Sequence, residues 1–337
     1  MIEEISAKKR LVSIARDFKI PYAASMEIIT KCNYNCIHCY IPKHTKVMPT
    51  PVILNALDQM REIGVLDLML TGGEIFLHQD IMDIVAYARS KGMRVTLFTN
   101  LSLLDENNVK RLAELYITQI STTLFSLDEI VNDGITCSEN SVNQILENLR
   151  LLKKYGINTE VKVPILKQNK DGIFDIRKFC EENGFTFNFT TAITSRTNGD
   201  RTPLDYAISQ QDLNEILPVL DDDDDSQDFW KTAPLCSAMC TSLHIDVDGN
   251  VSPCISFPYI IGNIYQKTLQ EIWGQALDGC EIFKIKKQDL SECSDCDLKD
   301  YCVRCPWLAY TEDKTLLGCS SLDRRTAVAR KCYRSLK

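Results

Sequence analysis

Three thiols crowd one short stretch, Cys32-x3-Cys36-x2-Cys39, in a chain of 337 residues that holds 15 cysteines. Thiolates are soft ligands suited to zinc or to iron–sulfur clusters. Three of them on one loop can hold three irons of a four-iron cluster and leave the fourth iron open to a substrate. A structural zinc site asks for four ligands, and this loop offers three cysteines with His38 and His44. Spacing alone leaves both metals open. Ten more cysteines fall between Cys236 and Cys332: Cys236-x3-Cys240, Cys254, Cys280, then Cys293-x2-Cys296-x5-Cys302-x2-Cys305, then Cys319 and Cys332.

Composition says which use of cysteine to expect. The chain is 45% hydrophobic and 25% charged, ordinary for a globular protein, with a formal net charge of −8. An acidic balance argues against non-specific binding to nucleic acid or to an anionic membrane, which needs a basic face. The first twenty residues carry no signal-like apolar stretch, and nothing approaches a membrane span. A cytoplasmic location is therefore expected, where disulfides are disfavoured and cysteines in number point to metal ligation.

The elements that must carry these ligands alternate. Apolar runs at SMEIIT, LDLMLTGG, RVTLFTN, QISTTL, TEVKVPI and FTFNFT are separated by segments of helical spacing such as PVILNALDQMREIG and SVNQILENLRLLKKYG. Gly64, Gly92, Gly156 and Gly184 follow helical runs where C-terminal caps belong. Six repeats predict parallel strands with right-handed crossovers, a partial (β/α)6 TIM-like barrel of the α/β class. Chemistry in such folds gathers at the C-terminal strand ends, and Cys32 follows the first strand directly. An open dinucleotide-binding sheet would alternate similarly, but CNYNCIHC stands where its glycine-rich turn would be. Residues 195–235 break the alternation; they are polar and include Asp221–Asp225, which reads as a solvated linker. Beyond it the spacing suggests loops rather than long helices, with Asp248-Gly249-Asn250 turning a hairpin that delivers Cys254. Metal is expected to be needed for that region to fold.

CNYNCIHC resembles the signature of the radical S-adenosylmethionine superfamily, with His38 where an aromatic residue usually precedes the third cysteine. The resemblance implies that Cys32, Cys36 and Cys39 hold a [4Fe-4S] cluster whose open iron chelates the amino and carboxylate groups of S-adenosyl-L-methionine. Reductive cleavage would then yield a 5′-deoxyadenosyl radical that takes a substrate hydrogen. Thr71-Gly72-Gly73-Glu74 is similar to the family's segment that meets the methionyl amine. A carboxylate suits an ammonium, and glycines let backbone approach a ligand. Thr99 and Asn100 end the third strand, and Ser121, Thr122 and Thr123 lie in the fourth, where the family binds ribose and carboxylate. Lys162, in the fifth strand, could neutralise the methionyl carboxylate.

The C-terminal cysteines resemble the SPASM domain, an auxiliary-cluster module of peptide-modifying radical enzymes. Ile261-Gly262-Asn263-Ile264 followed by LQEIW is similar to that module's linker. Two residues, Val303 and Arg304, separate the last pair of the four close cysteines, where the family often has three. By this resemblance Cys236, Cys240, Cys254 and Cys305 hold one auxiliary [4Fe-4S] cluster. Cys293, Cys296 and Cys302 hold the other with Cys319, or with Cys332 in its place. The spacing itself is also that of zinc knots. The organisation expected is an N-terminal extension (1–24), a radical core (25–200), an acidic linker (201–235) and an auxiliary-cluster domain (236–337).

Cys180 reads as a small buried hydrophobe within a helix, and Cys280 has no assigned role. Cys137, in the expected loop DGITCSEN after the fourth strand, is a candidate hydrogen donor of the kind some radical epimerases use. The function the resemblance implies is maturation of a ribosomally made peptide or small protein by cross-linking, epimerisation or oxidation. Dehydrogenation or epimerisation of a small metabolite such as an amino sugar is the alternative. A zinc-binding scaffold is the alternative from another class. Ile255 stands where sulfatase-maturing members carry an aspartate, which counts against that reaction. An external electron donor of flavodoxin or ferredoxin type is expected. With about 25 residues before the first strand, leader recognition is expected to need a separate protein or to occur elsewhere.

Overall fold

The computed structural model describes residues 7–42, 45–220, 235–236, 238–257 and 259–334. His44 and the run Asp221–Asp225 lie outside the described residues. Six parallel strands form the spine: β1 (Ala23–Ile29), β2 (Asp67–Gly72), β3 (Arg94–Phe98), β4 (Gln119–Thr123), β5 (Thr159–Pro164) and β6 (Thr186–Thr190). They correspond to the six apolar runs. Helix α1 (Ala7–Asp17) precedes β1, and α2 (Thr50–Glu62), α3 (Ile81–Ser90), α4 (Glu106–Glu114), α5 (Glu129–Thr136), α6 (Ser141–Lys154) and α7 (Ile173–Asn183) fill the crossovers. The strand order runs consecutively from β6 to β1, as a partial barrel requires and a doubly wound sheet, whose order reverses, does not.

Strand alternation gives the sheet two unlike faces. Met26, Ile28, Leu68, Leu70, Val95, Leu97, Ile120, Val161 and Val163 are buried in one hydrophobic core beneath the helices. The opposite, lumen-facing positions fall in register as Glu27 with Thr71, then Phe98 with Ser121 and Glu160, then Thr123 with Lys162 and Asn188. The barrel interior is thus polar, which suits a charged ligand better than an apolar one. Thr122 has the parity of Ile120 and is turned away from the lumen, so only Ser121 and Thr123 of that trio face the lumen.

The remaining elements are α8 (Gln210–Leu220), α9 (Ala238–Thr241), β7 (Ser242–Ile245), β8 (Asn250–Ser252), β9 (Gly262–Asn263), α10 (Leu269–Gly279), α11 (Ser291–Ser294), α12 (Pro306–Asp313) and α13 (Ser321–Arg334). Three expectations are corrected here. Residues 201–220 are not linker: α8 buries Leu213, Ile216, Leu217 and Leu220. It packs against α13, with Arg325 Nη2 donating to Ile208 O at 2.6 Å. The C-terminal region is not mainly loops, since α10 and α13 span 11 and 14 residues. The DGITCSEN segment is not a free loop either; its first half closes α5, whose N-cap Asp128 accepts from Val131 N at 3.0 Å.

The C-terminal hairpin is also part of the barrel sheet. β7 pairs in parallel with β1, and β8 and β9 follow antiparallel, extending the sheet to nine strands. Gly249 makes the turn at φ +79°, and Lys46 reaches across to Asp248 at 2.6 Å. Helix α10 begins with a Thr268–Glu271 capping box and lies on α2, with Leu269 N donating to Gln59 Oε1 at 2.7 Å. Its Trp273 Nε1 donates to Lys19 O at 2.8 Å.

Candidate active site

The cysteine loop leaves β1 and is held on both flanks. On one, Gly73 N donates to Ile29 O and Glu74 N to Lys31 O, each at 2.8 Å. A Cβ at Gly72 would lie 2.0 Å from Ile29 O, and one at Gly73 would lie 2.3 Å from Lys31 O. The glycine pair therefore makes room for the chain's own backbone at the root of Cys32. On the other flank, Asn35 N and Ile37 N donate at 3.0 Å to Thr136 O and Ile135 O at the end of α5. Cys32 Sγ accepts from Tyr34 N at 3.4 Å and from Asn100 Nδ2 at 3.9 Å.

Burial is the first cause that raises all three thiols, Cys32 to about 11, and the negative charges of their neighbours add to it. Cys39 contributes for Cys32, and Cys39, Cys32 and Cys137 contribute for Cys36. Among the described residues no three His, Cys, Asp or Glu side chains converge on a single-ion site. Three half-buried, mutually interacting thiols with N–H donors to one sulfur fit a cluster, which takes each thiolate on a different iron and releases their protons. His38 packs edge-on to Phe125 at 5.0 Å, and burial lowers its pKa to about 4. It is a neutral aromatic ring whose buried Nδ1 has no partner.

Glu74 requires a correction. Its side chain is 0% exposed and accepts from Phe76 N at 3.0 Å, Thr99 Oγ1 at 2.7 Å and Asn100 N at 2.7 Å. The carboxylate that would suit an ammonium is spent on β3. Thr99 is buried too; its oxygen also accepts from Leu101 N at 3.0 Å. Asn100 Nδ2 donates to Asn33 Oδ1 at 2.9 Å. These residues build the frame around the cysteine loop rather than a free ligand surface. Short strand ends leave orphan backbone groups, and a buried carboxylate satisfies them.

The lumen holds a second polar group, only part of which spacing and resemblance identified. Ser121 Oγ donates to Glu160 Oε2 at 2.6 Å, Asn188 Nδ2 to Glu160 Oε1 at 2.9 Å, and Gln119 Nε2 to Ser121 Oγ at 3.0 Å. Lys162 Nζ lies 3.6 Å from Glu160 and 4.0 Å from the centre of the Phe98 ring. Burial alone would raise Glu160, but these hydrogen bonds and the Lys162 ammonium hold its carboxyl below the usual range. Lys162 is thus partly neutralised already. Glu27, also in the lumen, is raised to about 7 by burial first and then by Asp246 and Asp248. The polar positions of TEVKVPI and SMEIIT are the signal that finds both acids.

Cys137 is the C-cap of α5, at φ +53°, and is exposed. It follows Thr136, whose carbonyl accepts from Asn35 N at 3.0 Å, so it stands beside the cysteine loop.

The C-terminal thiols fall into two neighbourhoods. Cys240, Cys254 and Cys305 each feel Cys236. Cys302 is pushed up to about 12 by burial, then by Asp323, Cys319, Cys293 and Cys296. Cys319 in turn feels Cys293 and Cys296. Cys332 is exposed on α13 beside Lys331, whose ammonium is tied to Asp297 at 2.6 Å. Asp323 stands where the two neighbourhoods meet, accepting from Cys305 N at 3.1 Å. Cys180 is buried in α7, as expected of a core residue. A cavity of about 480 Å³ is lined by Tyr40, next to Cys39, by Thr190 and Thr194 at the β6 exit, and by Cys305 and Trp307.

A three-thiol loop at the strand-end mouth of a parallel barrel, followed by Tyr40 on the wall of a cavity that a second cysteine-rich module also lines, defines an iron–sulfur enzyme. Comparison gives the family. Residues 26–180 match the radical SAM superfamily and residues 236–297 the SPASM iron–sulfur cluster-binding domain. The chain belongs to the radical SAM superfamily and carries a SPASM domain, so its cofactors are S-adenosylmethionine and iron–sulfur clusters. It is 25% identical over 327 residues to the antilisterial bacteriocin subtilosin biosynthesis protein AlbA of Bacillus subtilis, covering 91% of this chain and 70% of that protein. It is 23% identical to the AdoMet-dependent heme synthase of Methanosarcina barkeri, covering 86% and 92%. Its fold is that of Streptococcus suis SuiB, solved with S-adenosylmethionine and with the precursor peptide SuiA. The TM-score is 0.71 in both cases at 18% identity, with 94% of this chain covered and 81% and 80% of SuiB. Among the described residues no helix is long and apolar enough to cross a membrane.

Proposed function

We propose that this enzyme modifies a ribosomally synthesised peptide by cross-link formation, epimerisation or oxidation. The observation that carries the reading is a cavity that touches both Tyr40, beside the first cysteine loop, and Cys305 of the C-terminal module. A substrate seated there lies between the two sets of thiols. The relationship to AlbA, a bacteriocin biosynthesis protein, and the fold shared with SuiB, which was solved with a precursor peptide, support a peptide over a metabolite.

Cys32, Cys36 and Cys39 would hold the first cluster. Cys236, Cys240, Cys254 and Cys305 would hold one auxiliary cluster, and Cys293, Cys296, Cys302 and Cys319 the other. When bound, the first cluster and S-adenosylmethionine would supply a 5′-deoxyadenosyl radical able to take a hydrogen from the substrate. The chain's own residues then do the following. The Gly72–Gly73 backbone and the buried Glu74 fix the cysteine loop against β1 and β3. Ser121 and Lys162 orient the methionyl and ribose groups from the lumen, with Glu160 holding both in place. His38 and Phe125 wall the site against water. Electrons come from an external flavodoxin- or ferredoxin-type donor, and the leader segment is read by a separate protein. The enzyme works in the cytoplasm, where its thiols stay reduced.

The test is anaerobic reconstitution, iron counting, and incubation with a candidate peptide encoded beside the gene, followed by mass spectrometry. A loss of two hydrogens marks a cross-link or oxidation; an unchanged mass with one deuterium gained from heavy water marks epimerisation and gives Cys137 its role. Cleavage of S-adenosylmethionine with no change in any neighbouring peptide, together with turnover of a porphyrin or an amino sugar, would overturn the peptide reading.

A further inference from the structure

Arg304 fills half of the two-residue spacer between Cys302 and Cys305. Its neighbour Val303 is 74% exposed, whereas Arg304 is turned inward. Nε and Nη2 donate to Gly318 O at 3.2 and 2.7 Å, and Nη2 also donates to Leu316 O. Those carbonyls belong to the turn that leads into Cys319. The third nitrogen, Nη1, is buried and has no hydrogen-bond partner. The guanidinium stands beside the second set of thiols: Arg304 lies between Cys302 and Cys305 in the chain, and its bonds to Leu316 O and Gly318 O hold it against the turn that runs directly into Cys319.

A guanidinium stays charged and presents its donors in a rigid fork. Burying one with a donor unmet is unfavourable unless a negative group completes it. Asp323 lies on the same side but takes its own bonds from Ser320 and Cys305 N. An iron–sulfur core held by four thiolates is negative, and its sulfurs accept N–H bonds that raise its potential.

We propose that Arg304 Nη1 donates to the iron–sulfur core held by Cys293, Cys296, Cys302 and Cys319 and sets its reduction potential. Nε and Nη2 meanwhile fix the turn that delivers Cys319. This rests on the ligand assignment given under Proposed function. Arg304 is a positioning and tuning residue; it touches no substrate.

The test uses the full chain with Cys32, Cys36 and Cys39 replaced by alanine, so that only auxiliary clusters report, after anaerobic reconstitution. Iron and sulfide are counted, and reduction is followed by electron paramagnetic resonance. In Arg304→Gln the ratio of reduced to oxidised core at fixed poise should fall about tenfold, or about 59 mV for a one-electron couple. Arg304→Lys should shift it less. A full iron count with an unmoved potential in Arg304→Gln overturns the proposal. If Arg304→Gln loses iron, retention in Arg304→Lys, which keeps the charge but not the fork, supports it. Loss in both overturns it, because holding the turn is then the whole role. An iron count unchanged by Cys293→Ser would sink the ligand assignment itself, whatever the Arg304 variants do.

Discussion

The fully buried carboxylate of Glu74 takes the Thr99 hydroxyl at 2.7 Å and so ties the exit of β2 to the exit of β3. Because Asn100 N is bound by the same carboxylate at 2.7 Å, and Asn100 Nδ2 reaches Cys32 Sγ at 3.9 Å, the tie extends to the cysteine loop. Thr99→Val keeps the shape and removes both the donor to Glu74 and the acceptor for Leu101 N. It should cost about 1–3 kcal/mol in a denaturant titration. Glu74→Gln should cost at least as much, since an amide nitrogen facing these donors cannot accept from them. A stability equal to wild type in both variants would show that the tie is not needed.

Gly73 has no room for a methyl group. Its Cβ would meet Lys31 O at 2.3 Å and Thr30 O at 2.5 Å, both backbone atoms that a rotamer change cannot move. Gly73→Ala should therefore push the β2 exit away from the root of Cys32. The expected outcome is a loss of roughly four irons per chain, while the C-terminal clusters remain. Iron counting against a Cys32→Ala/Cys36→Ala/Cys39→Ala control checks it; full loading of Gly73→Ala refutes it.

The barrel could be read from the sequence because each strand announced itself locally. RVTLFTN and TEVKVPI are apolar runs bounded by turns, and the helices between them repeat at 3.6 residues. Spacing was enough to single out Cys32, Cys36 and Cys39 as metal ligands, though it left zinc and iron both open. What stayed hidden depends on contacts between distant residues. Nothing near Ser242–Ile245 says that this strand will pair with Ala23–Met26. Nothing near Glu74 says that its carboxylate will turn inward to Thr99 and Asn100 rather than outward to an ammonium. Helix α8 is a different case. Leu213, Ile216, Leu217 and Leu220 carry helical spacing, but Pro218 and the aspartates after it give the stretch the composition of a linker.

Cys319 and Cys332 compete for one ligand position, and their surroundings differ. Cys319 follows a turn clamped by Arg304, and Cys302 feels its charge. Cys332 is exposed on α13. Cys319→Ser should lose roughly four irons per chain after reconstitution, and Cys332→Ser should lose none. The reverse result would move the last ligand to α13.

Glu27 gives stability a pH dependence. Its carboxyl is raised from the ordinary 4.5 to about 7, chiefly by burial and then by the nearby Asp246 and Asp248, while Val247 N and Lys46 pull the other way. The folded state therefore holds a proton that the unfolded chain releases between those two values. With the folded pKa above the unfolded one, no penalty exists below about 4.5; it grows as pH rises and is complete above about 7. Glu27→Gln keeps the size and removes the ionisation. Its melting temperature should match wild type at pH 4.5 and exceed it at pH 8, with the difference opening through the interval between. A gap that stays constant across that interval would mean that Glu27 is ionised in the folded protein throughout, with its charge balanced in the barrel by Lys46.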